Sequence, residues 1–230
     1  WWGQATAEPL TLTRALVEHR HALAQGGRLR VFVGIGASDT LQPEQADAID
    51  FFGYAAGGAH RALAQADVLD ILPSHYSHLP GLIRDGVLPV DVVLLQVSPP
   101  DDQGRYSLGL AQEYLPAALE QARVVIGEVN PAIPWTHGGV HLQARDFALL
   151  IDAEHPPLEQ GRAAPGPVEQ AIARHVAALI EDGATLQLGI GNLPEAVLAA
   201  LHGQVTQHAK QHDDDQCDQT FTSHDLLTSE

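Results

Sequence analysis

Two rhythms of apolar residues alternate along this chain. From Leu12 to Ala24 the apolar positions fall three and four apart, with Leu12, Ala15, Leu16, His19 and Leu23 on one face. That spacing predicts an amphipathic helix, stopped by Gly26-Gly27. Short apolar runs follow at Leu29–Val33, Val68–Leu72, Val90–Val97, Tyr106–Leu110 and Val124–Val129. Each predicts a strand. The runs at Val90 and Val124 are rich in β-branched residues and lack polar alternation, as strands covered on both faces of a parallel sheet do. Helices are predicted at Arg61–Ala66, Leu79–Asp85 and Tyr114–Ala122. Turn chemistry separates these elements: Gly34-Ile35-Gly36-Ala37-Ser38, where Ser38 and Asp39 cap the next element, then Ser98–Gly104, then Asn130-Pro131. Alternating strands and helices predict an α/β fold with a mainly parallel sheet and flanking helices.

The second half repeats the rhythm after an interruption. Residues 154–167 are proline-rich and read as a crossover between an N-terminal α/β domain, 1–153, and the start of a second one, 168–203. Val168–Ile180 predicts a helix ended by Asp182-Gly183. Next comes TLQLGIGNLPEAVLAAL, from Thr185 to Leu201. It reads as a buried strand, Thr185–Leu188, in a sheet separate from the first two strands, then a glycine turn, then a helix. Asn192 is the expected cap, with Glu195 completing a capping box, Pro194 in the first turn and Gly203 as the stop. Periodicity is lost in residues 204–230, which hold six acidic residues and one lysine. This tail reads as largely disordered.

A strand, a Gly-x-Gly turn and a helix start together present backbone N–H groups to an anion. The glycines allow a bulky ligand to approach the main chain. This is not the dinucleotide fingerprint, because position 194 is proline where a third glycine belongs. It is not a P-loop, because no Gly-Lys-Ser/Thr follows.

Charge narrows the partners. A net charge of −17 over 230 residues argues against nucleic acid and anionic membranes. No apolar run approaches the ~20 residues of a membrane-spanning helix. The first residues, WWGQATAEPL, lack the form of a signal peptide. With one cysteine, Cys217, there is no internal disulfide framework, which fits a cytoplasmic protein. The absence of methionine predicts a chain that starts internally, was processed or was trimmed. His208, His212, Asp213, Asp214, Asp215, Cys217 and His224 match no zinc spacing, so no metal is expected. His75, His78 and Glu113 are the acid–base candidates, read as ordinary surface or packing groups. Ser98 and Asn130 stand at strand ends, where α/β sites gather. Trp1 and Trp2 read as a loosely packed or exposed start.

Three stretches in this order resemble the acetyl-CoA hydrolase/transferase family, particularly its bacterial 4-hydroxybutyrate and butyrate CoA-transferases. They are VDVVLLQVSPPDDQGRYSLG at 90–109, ARVVIGEVNPAIPWTHG at 122–138 and HVAALIEDGATLQLGIGNLPEAVLAAL at 175–201. The resemblance runs from about Leu10 to Gly203. It implies a two-domain fold of the sugar-phosphate isomerase-like CoA-transferase type, with the second domain truncated here. It implies transfer of CoA between an acyl-CoA and a short-chain carboxylate in acetate metabolism, through a glutamyl-CoA thioester. Coenzyme A is the implied co-substrate, bound by Gly189, Ile190, Gly191, Asn192 and Leu193. A homo-oligomer is a further partner expectation; acyl-CoA hydrolysis and a non-catalytic CoA-binding remnant are the alternative functions.

The chain departs from the family where the nucleophile belongs. Family members are roughly twice as long and carry the catalytic glutamate in a context like GIHSELLTDG. Ungapped spacing puts His212 there. The nearest echo, Ser223-His224-Asp225-Leu226-Leu227-Thr228, makes Asp225 the only candidate nucleophile. The change of text predicts a truncated or frameshifted product without turnover.

Overall fold

The computed structural model describes residues 1–161, 164–189 and 191–203. They form two compact units, divided between Gln160 and Gly161 inside the proline-rich segment.

The first unit is built on two three-stranded parallel sheets. In one, β1 (Leu29–Phe32) pairs with β2 (Ile49–Gly53), and β2 with β3 (Leu69–Ile71). In the other, β4 (Val92–Val97) pairs with β6 (Val124–Val129), which pairs with β8 (Leu149–Asp152). An antiparallel hairpin joins β5 (Arg105–Ser107) to β7 (His141–Gln143). The helices are α1 (Leu10–Glu18), α2 (Arg20–Leu23), α3 (Arg61–Gln65), α4 (Leu79–Arg84) and α5 (Leu115–Gln121). This is the expected class of fold. The β-branched runs form the inner strands because apolar text without alternation satisfies burial on both faces. Val93, Leu94, Leu95 and Val97 of β4 are all buried. Strands β2, β7 and β8 are additions to the expected set.

The long amphipathic helix expected over Leu12–Ala24 starts two residues earlier and breaks at His19, whose backbone (φ −97°, ψ 13°) leaves the helical region. Trp1 and Trp2 correct the expectation of a loose start, being only 8% and 4% exposed. Trp2 bridges Leu94 in parallel fashion, and Trp1 stacks on Phe32 with ring centroids 4.0 Å apart. Phe52 and Tyr114 close on the same ring edge-on, so four aromatic side chains seal the core beside β1 and β4.

The second unit contains α6 (Pro167–Ala177) and a helical stretch over 192–203. Ala173, Ala196 and Val197 are buried together. Thr185–Leu188 contradicts the expected buried strand: it has no regular structure, and Leu186 and Leu188 are 43% and 38% exposed. A parallel strand needs neighbours to hydrogen-bond, and the described residues of this unit contain none. The tail 204–230, expected to be disordered, lies outside the described residues.

Candidate functional site

In the first unit the chemistry gathers where the parallel strands end. Ser98 follows β4 and Asn130 follows β6, and the two strands are in register at Val97 and Val129. Both side chains are almost fully buried. Ser98 Oγ donates to Pro99 O at 2.9 Å and accepts from Ser107 N at 3.0 Å. Asn130 Nδ2 donates to Gln96 Oε1 (2.9 Å) and His155 O (3.0 Å), and its Oδ1 accepts from Ala132 N. The structure thus brings the two strand-end candidates side by side, with these polar atoms engaged in holding the strand ends together.

Around the end of β1 lies a second group. Ser38, expected as a cap, donates to Glu8 Oε2 at 2.5 Å and accepts from Thr40 N. Thr13 Oγ1 donates to Glu8 Oε1 at 2.8 Å, so this buried carboxylate is held by two hydroxyls. Gln4 Oε1 accepts from Ile35 N (2.9 Å) and from Tyr54 Oη (2.7 Å). The Gln4 main-chain N donates to Glu113 Oε2 at 3.3 Å, and its side chain donates to the same carboxyl. Burial pushes the Glu113 carboxyl above its ordinary range against these two hydrogen bonds. Tyr76 packs edge-on against Tyr54, 5.2 Å between centroids, and burial pushes its phenol above the ordinary range. Of the three acid–base candidates, Glu113 is thus in a built environment. His75 and His78 are exposed and pack edge-on against each other. Gln4 and Tyr54 were not among the candidates. Gln4 could have been noticed as a polar residue wedged between Gly3 and a helix start; Tyr54 carries no local signal.

In the second unit, residues 192–203 are helical, with Gly191 just outside. Asn192 therefore lies in the first turn rather than at the cap. Gly191 has φ +145°, a conformation that side chains disfavour, and its carbonyl accepts from Glu195 N at 3.2 Å. Among the described residues a Cβ at Gly189 or Gly191 would meet nothing nearer than Pro194, at 4.0 and 3.9 Å. The approach to the main chain is open on this side, as a ligand held by backbone N–H groups requires. Leu193 is half-exposed; Ile190 lies outside the described residues.

The other metal-ligand candidates, His208 to His224, and Asp225 also lie outside the described residues. Among the described residues no cluster of His, Cys, Asp and Glu has the makings of a metal site, and no helix is long and apolar enough to cross a membrane.

Parallel strands with flanking helices and polar groups at the strand ends define an α/β protein of the kind that holds ligands at its strand ends. Residues 1–150 match the acetyl-CoA hydrolase/transferase N-terminal domain, and the chain belongs to that family. It is 36% identical over 200 residues to the 4-hydroxybutyrate coenzyme A transferase of Clostridium kluyveri, covering 87% of this chain and 46% of that protein. It is 32% identical over 206 residues to the butyryl-CoA:acetate CoA-transferase of Anaerostipes caccae, covering 85% and 45%. Among solved structures, RipA from Yersinia pestis superposes with a TM-score of 0.78 at 26% identity, covering 86% of this chain and 48% of that one. A 4-hydroxybutyrate CoA-transferase from Porphyromonas gingivalis superposes with a TM-score of 0.60 at 31% identity, covering 87% and 46%. The chain spans about half the length of the curated relatives it matches.

Proposed function

We propose that this chain is the CoA-binding half of a cytoplasmic CoA-transferase that moves CoA between an acyl-CoA and a short-chain carboxylate of the acetate, butyrate or 4-hydroxybutyrate type. The observation that carries the reading is the glycine turn ahead of helix 192–203, with Gly191 in a conformation that side chains rarely adopt and, among the described residues, open space beside it. The free N–H groups of a helix's first turn and its dipole favour an anion, here the phosphates of CoA. Gly189, Ile190, Gly191, Asn192 and Leu193 supply that surface. The resemblance adds the chemistry: a glutamate carboxylate attacks the thioester carbon and expels the CoA thiolate to form an acyl anhydride, and the thiolate then attacks the glutamyl carbonyl, releasing the acyl group as a carboxylate and leaving an enzyme glutamyl thioester. Backbone N–H groups would hold the oxyanion of each tetrahedral step.

Asp225 is the nucleophile candidate, one methylene shorter than glutamate. A carboxylate that is not held near the thioester carbon forfeits ~7–11 kcal/mol of positioning advantage. The second reading is a chain that binds CoA without turning it over. Acyl-CoA hydrolysis is the third, and a homo-oligomer is the expected assembly.

Calorimetry with CoA tests the loop. Wild type should bind, and Gly191→Val should bind at least tenfold more weakly, because the new side chain blocks backbone approach in a conformation it disfavours. Equal affinities would remove the loop from the site. Acetyl-CoA and butyrate then test turnover: no butyryl-CoA and no borohydride-sensitive enzyme thioester are expected. Turnover that disappears in Asp225→Ala would make Asp225 the nucleophile.

A further inference from the structure

The apolar stripe at the start of the chain meets a cavity rather than a covered core. Leu12, Ala15, Leu16, His19 and Leu23, spaced three and four apart, all line a cavity of about 670 Å³ in the first unit. Across from them stand the beginnings of three strands, at Leu29 of β1, Val92 of β4 and Val124 of β6. Trp1, Trp2 and Phe52 complete the apolar lining. Ala15, His19 and Arg30 are exposed and Leu23 is 54% exposed, so the cavity is reached from solvent. Ser98 and Asn130 stand beyond the opposite ends of β4 and β6, roughly 17 Å away by strand length. The cavity is therefore separate from that strand-end group, and the glycine turn belongs to the other unit.

Three lining side chains carry a fixed charge, Arg28, Arg30 and Asp91. Arg28 is paired with Asp50 at 2.6 Å, and its remaining N–H groups donate to the carbonyls of Ala46, Asp47 and Ile49. Asp91 is paired with Arg123 at 3.0 Å. Arg30 has no ion pair among the described residues. Its guanidinium lies over the Phe52 ring, 4.4 Å from the centroid. That contact engages the flat face of the fork and leaves its N–H edge for an acceptor. A mostly apolar cavity of this volume, with one placed polar group, has the form of a small-molecule site.

The lining selects among ligands. A cation is repelled by Arg30, a neutral hydrocarbon leaves it unused, and a polyanion finds a single unpaired guanidinium. One carboxylate on a long aliphatic chain matches both parts of the site. A guanidinium fork takes a carboxylate through two parallel N–H···O bonds, and the chain covers the apolar stripe. We propose that this cavity binds a long-chain fatty-acid anion, with its tail along the Leu12–Leu16 side of α1 and its carboxylate on Arg30. Binding makes and breaks no covalent bond. The site is independent of the CoA chemistry and stands whether or not the glycine turn holds CoA.

Dodecanoate is the probe, titrated calorimetrically into the 230-residue chain below its micelle concentration. Binding should saturate at one anion per chain. Decanoate should bind roughly ten- to fifteenfold more weakly, since each buried CH₂ contributes ~0.8 kcal/mol. Arg30→Gln should weaken dodecanoate about fivefold, the size of a partly exposed ion pair, and leave the neutral alcohol dodecanol unchanged. Ala15 is an exposed wall residue, so Ala15→Trp fills the cavity at little cost to folding, which a thermal melt checks. It should weaken dodecanoate and dodecanol alike, by at least tenfold. Dodecanoate brominated at its methyl end should quench Trp1 and Trp2 and spare Trp135, which is not in the lining; this places the ligand without any variant. No saturable binding by the wild type overturns the proposal. So does dodecanol binding as tightly as dodecanoate, an unchanged affinity in Arg30→Gln or in folded Ala15→Trp, or a brominated chain that leaves the tryptophan emission intact.

Discussion

Glu128 sets up a stability experiment with a sign that can be worked out in advance. It lies in the middle of the second sheet, on β6, opposite Gln96 of β4 and Ile151 of β8, and is fully buried. Its Oε2 accepts from Leu12 N at 3.2 Å, in the first turn of α1, while its Oε1 has no hydrogen-bond partner among the described residues. Burial raises its pKa above the ordinary carboxylate range; hydrogen bonds from Leu12 and Thr11 and attraction to His155 offset this only in part. Because the folded pKa is the higher one, Glu128 helps stability below the unfolded value of about 4.3. That help is lost as pH rises through the folded pKa, and a constant penalty remains above it. A buried acceptor left without a partner costs about 1–3 kcal/mol. Glu128→Gln removes the charge and keeps an oxygen for Leu12 N. Near pH 7.5 it should therefore stabilise the chain by about 1–2 kcal/mol, discounted because the new amide N–H₂ inherits the unpartnered corner. For a unit of this size that is roughly 2–4 °C in Tm per kcal/mol. At pH 4 the two proteins should melt together. Urea titrations from pH 4 to 8 on both proteins give the answer by subtraction, which cancels the other acids. A difference that is flat with pH, or that favours the wild type at pH 7.5, would show that the carboxyl is not held neutral by burial.

Tyr114 Oη donates to Trp2 O at 2.7 Å within the aromatic core, so Tyr114→Phe leaves a buried carbonyl unpaired and should cost about 1–2 kcal/mol in urea unfolding. Gly34→Ala would put a Cβ 2.5 Å from Gln4 Oε1 and 2.6 Å from Gln4 Cβ. It should cost about 1–3 kcal/mol by overpacking, read by thermal melts.

What was legible in the sequence follows from how local each signal is. β4 and β6 announced themselves because β-branched, uninterrupted text answers one local demand, burial on both faces. β2 has the text Ile49-Asp50-Phe51-Phe52-Gly53, where a charge and a glycine break the run, and β8 is only four residues long. Neither carries enough of a pattern to stand out. Ser98 and Asn130 were legible as strand-end residues, since position in an α/β unit is itself a local property. The Gln4–Tyr54–Glu113 group was not. Its members come from positions 50 and 109 residues apart from Gln4 and meet only when the sheets close. Glu113 was visible as a carboxyl; its raised pKa is made by burial, against the hydrogen bonds from Gln4.

The segment Thr185–Leu188 shows the opposite case, a clear signal with no structure to match. Its alternation of Leu186 and Leu188 ahead of a glycine turn is strand text, but a parallel strand has no internal hydrogen bonds and exists only as a member of a sheet. Within the described residues of its unit the apolar contacts are made by helices: Ala173 packs with Ala196 and Val197, and Ile180, Ala200 and Leu201 gather around them. Leu179 stays 83% exposed and Val168 68%. Each leucine or valine side chain left in water forgoes about 1.5–3 kcal/mol of burial. A helix can still form under those conditions, because its backbone hydrogen bonds are internal. A strand cannot, and so the same stretch of chain keeps its helices on either side of a segment whose sequence asks for a sheet.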